Sequence, residues 1–222
     1  LIKKNYVAEL NEKTARLKAL EAQINPHFLY NTLQAISTEA VLSGQKTIQR
    51  MVESLASMLR YTVQKSNLVP VRTEIKYVKA YLFLQSERFE ERLTYRIDVP
   101  PDCEEVLIPR ISIQVLVENS ICHGLENSVE QIQILVSIRR QNGFLHIAVA
   151  DNGHGMPEER LREVQSLLEP NRTNGNGIGL TNLASRLKIL YEGRALLNIR
   201  SVLGRGTTVE MHLPEIPNEK KD

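Results

Sequence analysis

Four stretches of the chain gather residue types that handle protons, phosphate or metal. "NPHFLYN" (25–31) puts His27 directly after Pro26 in an otherwise apolar, helix-forming run. A neutral imidazole is a nucleophile near physiological pH, whereas a lysine must first lose its proton. "LVENSICHG" (116–124) carries Glu118, Asn119 and His123; "DNGHGM" (151–156) carries Asp151, Gly153 and Gly155. "NGNGIGL" (174–180) sets Gly175, Gly177 and Gly179 ahead of Leu180. These glycines follow a polar run rather than a strand, so the dinucleotide-binding fingerprint fails, and the phosphate-binding P-loop is also missing. The His-Arg-Asp and Asp-Phe-Gly signatures of protein kinases do not occur. What remains is an aspartate at a strand end, glycines that let backbone approach closely, and glycines opening a helix whose amides can face phosphate. Singly, each has a plainer reading. A lone histidine is more often a packed or exposed helix residue, Asp151 before Asn152 and Gly153 suits a turn, and loop glycines are commonly just turns.

The elements that must position these residues fall into two groups. Up to about residue 65 the chain is rich in helix formers, with Gly44 its only glycine. Val7, Leu10, Thr14, Leu17, Glu21 and Ile24 step by threes and fours, a short, imperfect coiled-coil seam. Leu29, Leu33, Ile36 and Ala40 form one apolar stripe, and Ile48, Met51, Val52, Leu55 and Leu59 another. Joined near Ser43 and Gly44, they predict an antiparallel helical hairpin whose apolar faces need a second copy to form a four-helix bundle. From about Val69 the pattern changes. Thr73 is positioned to cap a helix bearing Ile75, Val78, Leu82 and Phe89, and Tyr95, Ile97 and Val99 alternate as a strand. A helix over Arg110 to His123 follows, then a hairpin turning at Asn142 and Gly143, helices over Glu158 to Leu168 and Leu180 to Tyr191, and a last hairpin in "ALLNIRSVLGRGTTVEMHLP". The expectation is an α+β protein: a dimerising helical domain over 1–68 and, over 69–222, an α/β sandwich with a largely antiparallel sheet.

Composition narrows the function classes. A hydrophobic share of 42% and a charged share of 24% are ordinary for a soluble protein, and a formal charge of +2 argues against nucleic acid as a partner. Cys103 and Cys122 make no Cys-x-x-Cys pair, which suits a reducing compartment and two buried thiols. No apolar run reaches the roughly 18 residues that span a bilayer. The first residue is Leu1, not methionine, so the chain reads as a piece of a longer protein.

In order, "LVENSICHG", "DNGHGM" and "NGNGIGL" resemble the N, G1 and G2 boxes of the ATP-binding fold shared by histidine kinases, gyrase-type topoisomerases, Hsp90-type chaperones and mismatch-repair ATPases. "GRGTTVEMHLP" (204–214) is similar to the final box of that fold. With "NPHFLYN", the resemblance narrows to the LytS/YesM-like sensor histidine kinases, and "LVPVRTEIKYVKAYLFLQSERF" looks like that branch's connecting segment. The resemblance implies that His27 accepts the γ-phosphoryl group of ATP, that Asp151 accepts a hydrogen bond from the adenine amino group, and that Asn119 holds Mg²⁺. It places Gly153 and Gly155 beside the nucleotide, with His123 and Leu180 among the residues that bind it. Gly175, Gly177 and Gly179 would hinge a lid, and Thr207 would support the adenine pocket through a water shared with Asp151.

The sequence departs from better-known histidine kinases in three ways. Phe28 follows the histidine where many carry an acid, Glu118 directly precedes Asn119, and no phenylalanine lies between the G1 and G2 boxes. Glu118 is therefore the candidate base, and the lid orders without an F box. Asn31, four residues after His27 and on the same helix face, is expected to orient a water during dephosphorylation of the partner. The implied protein is the cytoplasmic part of a bacterial membrane sensor: a homodimer that phosphorylates His27 from Mg·ATP and passes the group to a response-regulator aspartate. An ATPase of the same fold, or a degenerate kinase that only binds a partner, is the alternative. Pro26 would loosen the helix at Asn25, where rotation of the upstream seam can act on His27.

Overall fold

The computed structural model describes residues 26–63, 66–125, 131–168 and 178–216. The seam from Val7 to Ile24, the backbone at Asn25, and Gly175 and Gly177 lie outside these residues. The chain divides into two compact units, Leu1–Arg60 and Tyr61–Asp222.

In the first unit, α1 (Pro26–Leu42) and α2 (Lys46–Thr62) form the expected pair of helices, α2 ending in the first residues of the second unit. The apolar stripes fall at helical spacing, and α1 is closed by a Schellman arrangement. The Gln45 amide donates to Ala40 O at 2.8 Å and the Gly44 amide to Val41 O at 3.1 Å. Tyr30 ties the helices together: its hydroxyl donates to Ala56 O at 3.3 Å, and the Arg60 guanidinium lies 5.5 Å from its ring centre. Phe28, Ile36, Ile48 and Leu55 nevertheless stay exposed on the single chain.

The second unit runs β1 (Leu68–Pro70), α3 (Val71–Phe89), β2 (Leu93–Asp98), β3 (Leu107–Pro109), α4 (Ser112–Leu125), β4 (Ile132–Gln141), β5 (Phe144–Asp151), α5 (Glu158–Leu168), α6 (Ile178–Leu190), β6 (Leu196–Val202) and β7 (Gly206–Pro214). Its five-stranded sheet has the order β2-β4-β5-β7-β6. The β2–β4 pair is parallel and the other pairs are antiparallel. Alternation decides which face is covered: Ile132, Ile134, Val136, Ile138, Leu145, Ile147, Val149, Val209, Met211 and Leu213 are all buried, in one cluster with Leu116 and Val117 of α4 and Leu183 and Leu187 of α6. Burying a side chain of this size contributes about 1.5–3 kcal/mol of transfer free energy. Asn142 and Gly143, with φ of 54° and 75°, make the tight turn that matches strand twist.

Thr73 is not the cap of α3. Pro70 occupies the cap position, and no side chain takes up the first amides. They go instead to backbone: Val71 N–H to Val106 O at 2.9 Å and Arg72 N–H to Glu104 O at 3.0 Å. The supplying segment leads into β3, which pairs antiparallel with β1. Each of these strands is three residues long and ends in proline, too short to show a period of two.

Candidate functional site

Asp151 ends β5 directly opposite Thr207 on β7, and this register builds the site. Its Oδ1 accepts the Gly153 amide at 3.1 Å and the Thr207 amide at 3.2 Å. The Ser120 hydroxyl on α4 adds a further hydrogen bond. Burial raises the Asp151 carboxyl pKa against the lowering effect of these donors and of His123. The Thr207 main chain thus bonds Asp151 directly. The Thr207 hydroxyl lies 2.9 Å from Ser201 Oγ instead.

Ser201 joins the loop after Asp151 to the last hairpin. It accepts the Met156 amide at 2.8 Å and donates to Gly206 O at 3.0 Å, while the Gly204 amide donates to His154 O at 2.7 Å. Such close passage explains two glycines. A Cβ on Gly155 (φ 63°) would stand 2.0 Å from Val202 O, and one on Gly206 (φ 106°) 1.9 Å from Asp151 O. What demands a glycine at 155 is therefore the backbone of the hairpin, although Gly155 also lines the cavity.

The cavity, of about 330 Å³, lies between α4, the loop 152–157, α5, α6 and strands β6 and β7. That volume is at the small end for small-molecule sites. Met156, Val164, Leu168, Ile199 and Val209 give it apolar walls, and Asp151, Asn119, Ser120 and His123 supply polar groups. Apolar walls with a single carboxylate in the lining suit a heterocycle that carries an amino donor. Asn119 gives its amide nitrogen to Val115 O at 2.7 Å, which leaves Oδ1 as its ligand atom. Among the described residues no group of three or more His, Cys, Asp or Glu could hold a metal. A Cβ on Gly179 would lie 3.4 Å from Val115 Cγ1 and 3.8 Å from Asn119 Nδ2, so the amino end of α6 passes closely over α4 there. Leu180 and Thr181 complete that wall.

Among the described residues, Asn119, His123, Asp151, Gly155, Leu180 and Thr207 thus meet at one cavity. Gly153 lies beside it, its Cβ position 3.1 Å from Asp151 Oδ1. Glu118 is not in the lining; its carboxylate accepts from Gln114 Nε2 at 2.6 Å, and its charge adds to burial in raising Tyr77 and Tyr81 on α3. His27 belongs to the first unit, is exposed, and has Asn31 Nδ2 3.3 Å from its Nδ1. Ser120, Ser201 and Gly206 went unnoticed in the sequence. Ser120 adjoins Asn119 and Gly206 adjoins Thr207 within quoted boxes, but nothing local marks Ser201.

Comparison with known proteins places these features. A family profile described as histidine kinase matches residues 15–93, and one described as histidine kinase-, DNA gyrase B- and HSP90-like ATPase matches 109–217. Sensor histidine kinase YesM of Bacillus subtilis is 37% identical over 96% of this chain and 36% of its own length. Sensor protein LytS of Staphylococcus epidermidis is 34% identical over 91% and 34%, and sensor protein kinase HptS of Staphylococcus aureus 34% over 90% and 38%. The chain spans about a third of the length of these curated relatives. Of solved structures, the histidine kinase domain of the Erythrobacter litoralis EL346 blue-light activated kinase matches with a TM-score of 0.47 at 15% identity, over 83% of this chain and 82% of that one.

Proposed function

The chain belongs to the sensor histidine kinase family, in its LytS/YesM-like branch, and from that premise we propose that it transfers the γ-phosphoryl group of Mg·ATP to His27. The observation that carries the nucleotide part is the Asp151 carboxylate, fixed by two backbone amides in the lining of an apolar-walled cavity that Asn119 also lines. Asp151 accepts the adenine amino group, which guanine lacks at that position. Asn119 Oδ1 would hold Mg²⁺, which would supply neutralisation of phosphate charge. Gly179 lets the amino end of α6 pack against Val115 and Asn119 of α4, and the α6 amides are the proposed phosphate donors.

Transfer itself is mainly positioning and charge neutralisation. An imidazole nitrogen of His27 forms a bond to the γ-phosphorus as the bond to the β-phosphate oxygen breaks; ADP leaves and the imidazole proton passes to a base. Glu118, whose carboxylate accepts from Gln114 Nε2 outside the cavity lining, is the candidate for that base. In this reading residues 1–68 form the dimerising phosphoacceptor domain and 69–222 the ATP-binding domain. The exposed Phe28, Ile36, Ile48 and Leu55 face a second copy, and an aspartate of a response regulator receives the group. The longer protein would be anchored in the membrane through a part that is not in this chain; no helix among the described residues is long and apolar enough to cross a bilayer.

The direct test is incubation with γ-labelled Mg·ATP. The expected product is labelled chain whose phosphate is lost in acid and kept in alkali. ATP hydrolysis without labelling would replace this reading with the ATPase alternative. Asn31, whose amide reaches the imidazole, is proposed to orient a water during dephosphorylation of the partner. Asn31→Ala should keep autophosphorylation and lose phosphatase activity on the phosphorylated partner; loss of both would leave Asn31 a helix-supporting residue.

A further inference from the structure

Glu74 on α3 is fully buried, and the nucleotide site does not use it. Its Oε1 accepts the Ile111 amide at 2.5 Å and its Oε2 the Ile113 amide at 3.1 Å, so the carboxylate caps the first turn of α4 from another helix. Burial pushes its pKa up to about 7, while the amides of Ile111, Ile113 and Gln114 and the charge of Arg186 pull it down. Capping α4 needs nothing more, yet the same Oε1 also takes the hydroxyl of Tyr61, a buried residue in the last turn of α2. Arg110 reinforces the attachment: its Nη1 donates to Tyr61 O at 3.1 Å and Thr62 O at 3.2 Å. Between these anchors Ile111 is held at φ 68°, a left-handed conformation that a β-branched residue adopts only when its surroundings impose it. From α6, Arg186 reaches Ser112 Oγ at 3.3 Å, so the helix whose amino end lies over Asn119 also touches this turn.

We propose that Glu74 is a positioning residue that couples the seating of Tyr61, at the carboxyl end of α2, to the helix that carries Asn119 to the nucleotide. The inference rests on the nucleotide reading above. Its physical content is linkage: if ligand at one end of α4 favours the arrangement in which Glu74 holds Tyr61, then seating Tyr61 favours ligand by the same factor. Tyr61→Phe removes that bond and the second acceptor of the Ile111 amide, which also donates to the Tyr61 hydroxyl at 3.2 Å, while the amides of Ile111 and Ile113 keep the Glu74 carboxylate as acceptor.

Hydrogen exchange of the whole chain, with and without a non-hydrolysable Mg·ATP analogue whose binding is followed by calorimetry, tests this. In the parent, nucleotide should slow exchange over residues 58–63 by about fivefold or more, the lower end of typical allosteric couplings. In Tyr61→Phe, with the analogue at saturation, the response should fall below about twofold. A merely structural Glu74 would change exchange equally with and without nucleotide. Saturable binding with no protection in the parent, or protection undiminished in Tyr61→Phe, overturns the coupling. No binding to the parent sinks the nucleotide reading and this inference with it.

Discussion

His27→Gln should take up no labelled phosphate from Mg·ATP while binding the nucleotide within a few-fold of the parent. The two halves of that result have separate causes. Every side chain lining the cavity belongs to the unit that begins at Tyr61, and His27 belongs to the other. Glutamine keeps a polar, helix-compatible side chain at an exposed position, so α1 should persist while losing the nucleophile and its contact with Asn31. Chain association should survive as well, because Leu29, Leu33, Leu55 and Leu59 are unchanged. Mixing this variant with an Asp151→Asn chain then restores labelling only if one chain's ATP-binding unit reaches its partner's histidine. Acid-labile phosphate on His27→Gln alone would move the acceptor to another of the five histidines.

The hairpin of β4 and β5 was legible because each strand alternates strictly and Asn142-Gly143 requires a tight turn. The short β1–β3 pair was not, since three residues carry no period, and the cap expected at Thr73 failed because distant backbone supplied the acceptors. The site divides the same way. Asp151, Asn119 and the glycines were legible as ordered boxes, yet the reason for Gly155 differs from the one expected: its nearest obstacle is Val202 O. Ser201 and Glu74 gave no local signal at all, because each acts through groups brought together by strand register or helix packing. A buried glutamate in the first turn of α3 reads in sequence as one more helix former. Its meaning appears only when Tyr61, Ile111 and Ile113 converge on it.

Asp151→Asn should weaken ATP binding by about 10- to 150-fold, the equivalent of one hydrogen bond to a charged group at about 1.5–3 kcal/mol. The substitution is a narrow one. Asparagine Oδ1 can still accept the Gly153 and Thr207 amides that Asp151 Oδ1 accepts now, so the β5–β7 register and the loop it supports should persist. What is lost is an anionic acceptor facing the cavity, replaced by an amide that can present a donor to the adenine amino group. Preference for adenine over guanine nucleotides should shrink along with affinity. The pH dependence gives an independent check. Burial holds the Asp151 carboxyl above its ordinary value of 3.8 in the empty site, and protonation removes the acceptor. ATP affinity of the parent should therefore decline as pH falls through that raised pKa, at a higher pH than an exposed aspartate would show, and this part of the profile should be flat in Asp151→Asn. Calorimetry that finds the variant binding ATP as tightly as the parent, with the same acid limb, would leave Asp151 a strand-end residue that merely ties β5 to β7.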